Sequence, residues 1–373
     1  PVVLDSLCQD LNTLQDDLVY EEAMESAITV VKNRFSLIPM RKLDKKKIAY
    51  VHFGDANGNY FARALQKYGD VTVVEAKDIA EYKAKLKSYN LVVIGLHKSN
   101  ESPWKGYRFS KNEQFWLEEI SRLRTSNTIL TLFTKPYALL NVVNFQSIDG
   151  LVVSYQNSRL AQEKKAEVLF GALAAKGRMP VSAGSNFPVG AGEDTKAIAR
   201  LGYSVPERVG FSSKRLAKVD SLVQLGIDSL MFPGAQVLVA RKGKVIYHKS
   251  FGKTTYEGAD SITNDHIYDL ASVTKILGTL PLLLKMEEEG KLKLNNTFQE
   301  MIPAYKDSEL KDVTVLKALS HYGRLPAWIA FYVSTLDEDR RPSKEFYRKV
   351  PSATYSTKVF DNLYLTNVYQ DSI

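Results

Sequence analysis

Between residues 47 and 175, short runs of Val, Ile and Leu alternate with stretches of helical periodicity, and this alternation limits what the chain can fold into more than any other feature. Residues 47–53 read as a strand ending at Gly54, 61–68 as a helix, 71–75 as a strand and 79–86 as a helix. Residues 91–96 form a continuous apolar run, as a parallel strand covered on both faces requires. A helix over 115–123, strands over 128–133 and 150–154, and an apolar helix over 161–175 stopped by Gly177 complete the series. Strand–helix alternation of this kind implies α/β structure: a three-layer αβα sandwich around a mostly parallel sheet. Ahead of it, residues 1–38 show helical spacing, with Ala23, Ile28, Val30 and Val31 as the expected buried stripe.

The pattern then changes. Residues 180–202 are rich in Gly, Pro, Ser and Ala, which places a domain junction there and gives domains of 1–200 and 205–373. A length of 373 residues agrees with two domains. Past the junction come a helix over 213–225, two β-rich runs flanking Arg241–Lys244 that form a hairpin, and a long apolar helix over 272–289 closed by Gly290. This second part is α+β in character.

Composition excludes several classes. Hydrophobic residues make up 45% and charged residues 25% of the chain, which argues against disorder. The longest apolar stretch, 276–284, is too short to cross a bilayer, so the chain is expected not to span a membrane. The single cysteine, Cys8, allows no internal disulfide. The five histidines have no metal-ligand spacing, and neither metal nor cofactor is expected. The net charge of +8 is spread along the chain without interleaved aromatics or a zinc-finger pattern, so a nucleic-acid partner is not expected. The turn at 54–58 follows a strand, where α/β sheets bind ligands. It is neither a dinucleotide fingerprint nor a P-loop, and a plain turn is preferred over a contribution to a sugar-binding rim. The sequence opens at Pro1 with neither an initiating Met nor a basic-then-apolar leader, which reads as an excised or processed piece.

The chemistry concentrates at Ser272-Val-Thr-Lys275, at the start of the apolar helix. Residues three apart share a helix face, so the serine hydroxyl and the lysine amine can meet. The helix N-terminus favours negative charge on the serine oxygen, and backbone N–H groups there could hold an oxyanion. Ile276, Leu277 and Leu280 beside Lys275 are expected to disfavour its charge and make it a base. The plainer reading is that Ser272 is an N-cap. Ser-x-x-Lys also occurs at Ser250–Lys253 and Ser308–Lys311, but neither opens a long apolar helix.

The run from Pro233 to Pro326 resembles the N-terminal part of the beta-lactamase-like serine hydrolases, the class C beta-lactamases and penicillin-binding peptidases. The likeness lies in the Pro-Gly-Ala hairpin, Tyr268–Lys275, Gly290–Leu294 and Leu319–Pro326. It implies Ser272 as nucleophile and Lys275 as base, with His321 and Tyr322 as structural residues near the site. Arg324 stands at or beside the family's usual glycine. The family's second motif has no convincing copy: Tyr369-Gln-Asp371 carries the letters without the residues that should follow, and Tyr155-Gln-Asn157 lies upstream. The third motif is missing too, since Lys253-Thr-Thr255 precedes the serine. The hydrolase domain is therefore expected to be partial, incomplete at its C-terminus.

Residues 27–33, 37–39, 47–54, 170–172 and 177–181 resemble the C-terminal sandwich of family-three glycoside hydrolases, in the β-N-acetylhexosaminidase branch. The resemblance implies a TIM-barrel domain in cis ahead of Pro1, carrying the glycosidase catalytic residues, and a glycan or peptidoglycan-like substrate. Together the two resemblances imply a bifunctional hydrolase of the periplasm or cell envelope. This segment alone is expected to be inactive, and the competing expectation is a non-catalytic accessory module.

Overall fold

The structure is a computed structural model that describes residues 13–370 apart from 102, 103, 105, 124, 143, 329 and 331. The chain divides into two compact units, Pro1–His266 and Ile267–Ile373. Cys8 lies outside the described residues.

In the first unit, α1 (Leu14–Ala27) opens with a capping box in which Thr13 and Asp16 satisfy each other's backbone N–H groups. The helical stripe expected to run on through Val31 stops at Ile28, and the chain enters β1 (Thr29–Asn33) instead. Three β-branched residues in four positions favour the pleated form there. Ile28 and Val30 are buried as expected, whereas Ala23 is exposed.

The alternation that follows is β2 (Ile48–Gly54), α2 (Asn59–Gln66), β3 (Val71–Val73), α3 (Ile79–Leu86), β4 (Leu91–His97), α4 (Lys111–Ser121), β5 (Asn127–Phe133), β6 (Gly150–Val153) and α5 (Arg159–Phe170). The six strands form one sheet in the order β1-β6-β5-β4-β2-β3. Every neighbouring pair is parallel except β1 with β6. Because successive side chains point to opposite faces, each strand feeds two cores. Tyr50, Val93, Ile129 and Val152 pack with Met24, Phe61, Leu65 and Leu169 on one face. Val51, Ile94, Leu130 and Leu132 pack with Tyr82, Leu86, Leu117 and Ile120 on the other. This is the three-layer αβα sandwich that the alternation implies.

Helix α5 ends earlier than the sequence implies. Gly171, not Gly177, takes the left-handed conformation (φ 76°), and its N–H returns to the Glu167 and Val168 carbonyls. Residues 171–201 contain no helix or strand but are stitched to the sandwich through Glu193 N to Val30 O (2.7 Å) and Ile198 N to Gly171 O (2.8 Å).

A second sheet follows. It joins β7 (Gly202–Tyr203) to the hairpin of β8 (Gly234–Arg241) and β9 (Lys244–Gly252), in the order β7-β9-β8. The hairpin is as expected: Lys242 and Gly243 both have positive φ, as a right-twisted two-residue turn requires. The helix expected over 213–225 is two, α6 (Ser213–Leu216) and α7 (Lys218–Asp228). The hairpin is anchored to the sandwich by charge. Lys164, 1% exposed, touches Glu21, Glu25 and Glu167 at 2.6, 3.1 and 3.1 Å. Lys244 at the start of β9 reaches Glu25 and Glu167 at 3.3 and 3.1 Å.

The second unit contains α8 (Leu280–Glu288), α9 (Phe298–Met301), α10 (Val315–Leu319), β10 (Tyr347–Arg348), β11 (Thr357–Phe360), β12 (Leu363–Leu365) and α11 (Asn367–Gln370). The three strands form one antiparallel sheet, β10-β12-β11. Among the described residues of this unit only Leu292, Val315, Thr335 and Thr366 are buried. No helix among the described residues of the chain is long and apolar enough to cross a membrane.

Candidate acyl-transfer site

Ser272 and Lys275 meet: the Lys275 ammonium donates a hydrogen bond to Ser272 Oγ at 2.9 Å. The Ser-x-x-Lys pairs at Ser250–Lys253 and Ser308–Lys311 do not, and a further one, Ser102–Lys105, lies outside the described residues. Ser250 lies on β9, where residues three apart face opposite ways, and its hydroxyl donates to Asn264 Oδ1 at 2.5 Å. Ser308 donates to the Tyr305 carbonyl at 3.0 Å. Helical geometry, rather than the letters, brings Ser272 and Lys275 together.

The segment carrying that pair is not the unbroken helix expected over 272–289. A 3₁₀ turn (Ala271–Val273) passes into a π turn (Lys275–Thr279), and only then into α8. Pro281 is the physical cause, since it has no N–H to give the Leu277 carbonyl and its ring crowds that oxygen. The Leu280 N–H bonds instead to Lys275 O, five residues back. Immediately before the serine, Ala271 is held at φ 41°, a left-handed conformation that a residue with a Cβ adopts at a cost. Asp269 stabilises it by accepting the Ala271 N–H at 2.9 Å. This strained residue was not foreseen; the only signal in the sequence is an aspartate two residues ahead, able to make such a turn.

Two expectations about the site need correction. Lys275 is exposed, as are Ile276, Leu277 and Leu280, so the apolar enclosure expected to disfavour its charge is absent from this structure. The amides expected to hold an oxyanion are partly committed already: Ala271 N–H to Asp269, and Val273 N–H to the Leu270 carbonyl at 2.9 Å.

His321 and Tyr322 lie in the turn after α10, exposed, with their backbone N–H groups closing the helix on the Ala318 and Lys317 carbonyls. Among the described residues no hydrogen bond joins either side chain to Ser272 or Lys275. Arg324, at or beside the position where the resemblance implies a glycine, adopts φ 54°, a backbone conformation that glycine favours. In the Tyr369–Asp371 segment, Asp371 lies outside the described residues, and Tyr155–Asn157 belongs to the first unit. No group of three or more His, Cys, Asp or Glu able to hold a metal occurs among the described residues.

Comparison with known proteins gives the class first. Residues 219–356, a stretch that includes Ser272 and Lys275, match the family model described as Beta-lactamase. The particular relatives follow. An N-acetylmuramyl-L-alanine amidase of Bacillus subtilis is 29% identical over 163 residues, covering 39% of this chain and 37% of that protein. A Salmonella enteritidis protein named "Putative D-alanyl-D-alanine carboxypeptidase" is 31% identical over 140 residues, covering 34% of this chain and 32% of that protein. The chain thus spans about a third of the length of these relatives. Among solved structures, a glycoside hydrolase family 3 β-N-acetylglucosaminidase from Paenibacillus is similar over 46% of this chain and 34% of that one, at 18% identity and a TM-score of 0.37.

Proposed function

We propose that this chain is part of a bifunctional cell-envelope hydrolase, in which a glycosidase-type sandwich precedes a serine hydrolase domain whose nucleophile is Ser272. The observation that carries the reading is the 2.9 Å contact between Lys275 Nζ and Ser272 Oγ, inside a segment matched to the beta-lactamase family. In this mechanism Lys275, once stripped of water, takes the proton of Ser272 as Oγ attacks the carbonyl carbon of an amide or ester. The tetrahedral intermediate collapses, the leaving amine or alcohol receives that proton, and water then hydrolyses the acyl-serine. The amidase and carboxypeptidase names of the relatives favour an amide of cell-wall material as substrate. The sandwich fold and the segments at 27–54 and 170–181 favour a family-three glycosidase partner domain in cis, with glycan as its substrate and the periplasm or cell envelope as its location. In this reading the domains run 1–200 and 205–373.

Labelling of the full-length protein with a fluorophosphonate or a penicillin tests the proposal. The wild type should acquire one adduct that Ser272→Ala lacks and that Lys275→Ala forms about a hundredfold more slowly or worse. Equal labelling of wild type and Ser272→Ala would remove Ser272 from the mechanism. A second reading, a non-catalytic accessory module, is favoured by the exposure of Lys275 and by the committed amides around Ser272. It predicts no adduct on either protein, although both fold.

A further inference from the structure

The chain reaches Ser272 through a left-handed residue. Leu270 is helical (φ −76°, ψ −12°), Ala271 turns to φ 41°, and Thr274 is helical again (φ −54°, ψ −32°). The reversal is a tight turn: the Val273 N–H closes on the Leu270 carbonyl at 2.9 Å, with Ala271 and Ser272 at the two central positions. A positive φ at the first central position suits glycine, and the Cβ of alanine is strained there. Strain of that kind persists only where neighbouring groups enforce it. Burial does not enforce it, because residues 270–274 are all exposed. What remains is the Asp269 carboxylate, whose Oδ1 accepts the Ala271 N–H at 2.9 Å. The carboxylate stands two residues before the N–H it binds, as in an Asx turn, and a charged acceptor makes the stronger hydrogen bond.

The place of this turn decides what it can control. Ser272 and Lys275 both lie beyond the Ala271 N–Cα bond, three residues apart, so their 2.9 Å contact is set downstream of it. Further on, the Leu280 N–H bonds back to Lys275 O, which ties the lysine backbone into the same segment. Rotation about the Ala271 N–Cα bond therefore carries Oγ and Nζ together. Relaxing φ from 41° to the right-handed helical value is a rotation of roughly 100°. It leaves the serine beside the lysine but turns the pair relative to the chain before it. An attacking oxygen must be held to within about 10–20° of its productive direction. A relaxed Ala271 would thus give a serine that is paired and misdirected.

We infer that Asp269 is a positioning residue for the nucleophile: its carboxylate holds Ala271 in the left-handed conformation and so sets the direction in which Ser272 and Lys275 are presented together. The inference rests on the reading of Ser272 as nucleophile and adds to it a residue that the Ser-x-x-Lys spacing does not include. Among the described residues the Asp269 side chain makes no hydrogen bond or ion pair to Ser272 or Lys275; its bond goes to the Ala271 N–H. Asp269 therefore acts through the backbone and not on the reacting atoms.

The test is the rate at which a fluorophosphonate forms its Ser272 adduct on the full-length protein, measured from neutral to alkaline pH. Asp269→Ala should slow the adduct about tenfold, the population lost when a residue with a Cβ must hold a left-handed conformation unaided. The midpoint of the pH profile should stay where it is in wild type, because the contact between Ser272 and Lys275 is kept. Asp269→Asn should recover most of the rate, since its side-chain oxygen accepts the same N–H. Adding Ala271→Gly to Asp269→Ala should also recover rate, since glycine adopts a positive φ without help. Three results would each overturn the inference: Asp269→Ala as fast as wild type, the double variant no faster than Asp269→Ala, or Asp269→Asn as slow as Asp269→Ala with a displaced pH midpoint. The last would make the charge of the carboxylate, and not its hydrogen bond, the active feature. All three leave Ser272 in place as nucleophile, whereas a wild type without a Ser272 adduct takes down that reading and this inference with it.

Discussion

The His97 imidazole is stacked between Phe133 (centroids 4.2 Å apart) and His52 (5.1 Å). Burial pushes its pKa down from 6.5 to about 3, although the Asn157 hydrogen bond opposes the shift. Between those pH values the unfolded chain binds a proton that the folded sandwich refuses. The stabilising contribution is therefore intact above about pH 6.5 and is lost as pH falls towards 3, with a slope of about 1.4 kcal/mol per pH unit. From pH 6.5 to 5.0 this amounts to about 2 kcal/mol, a large part of a typical stability. Replacing His97 by Gln costs stability at every pH through its hydrogen bonds to Tyr50 and Asn157, but it removes the proton from the balance. Urea unfolding followed by tryptophan fluorescence suits the measurement, since Trp116 packs on the sandwich core while Trp104 and Trp328 are exposed. The free-energy difference between wild type and His97→Gln should shrink steadily from pH 6.5 to 5.0. A difference that stays constant over that range would refute the reasoning.

The buried ion cluster gives a second outcome. Lys164→Met removes the ammonium shared by Glu21, Glu25 and Glu167, leaving Lys244 to Glu25 and Glu167, and should cost about 3 kcal/mol in urea unfolding. Lys249→Ala, which breaks a half-exposed pair with Asp220, should cost less than about 1 kcal/mol. At Gly54 an added Cβ would lie 1.9 Å from the His97 carbonyl oxygen, so Gly54→Ala should lower the unfolding midpoint by more than any of the exposed substitutions named above. A midpoint equal to wild type would mean that the turn is not seated on His97.

The sandwich was legible because its signals are local and redundant. The run at 91–96 is apolar at every position, and β4 is buried at every position. Lys242-Gly243 is a turn by chemistry before it is one by coordinates. Boundaries failed where two signals competed. The apolar spacing reads on to Gly177 as the helix stop, but Gly171, nearer along the chain, takes the left-handed form. Ile28–Val31 continued a helical stripe in spacing, but its β-branched residues joined a strand whose partner lies more than a hundred residues away at β6. That pairing has no local trace. Neither Ala271 (φ 41°) nor Tyr155 (φ 66°) is of a type that favours a positive φ, and the letters hint at the strain only through Asp269, two residues ahead of Ala271.

At Ser272 the division between what a pattern states and what it omits is sharpest. A spacing of three fixes which side chains can touch, and Lys275 touches Ser272. It says nothing of what covers them, because covering is the work of residues distant in the chain. The apolar residues after Lys275 describe an environment the helix would favour, and in this structure those residues face water. The direction of the hydrogen bond follows from that. An ammonium donates to a hydroxyl, which orients Ser272, whereas general-base work requires the amine to receive. Only exclusion of water from the amine reverses the roles. Contact and burial are therefore separate requirements for acyl transfer, and Lys275→Ala and Ser272→Ala test them only in a protein where the apolar strip of Ile276, Leu277 and Leu280 is covered.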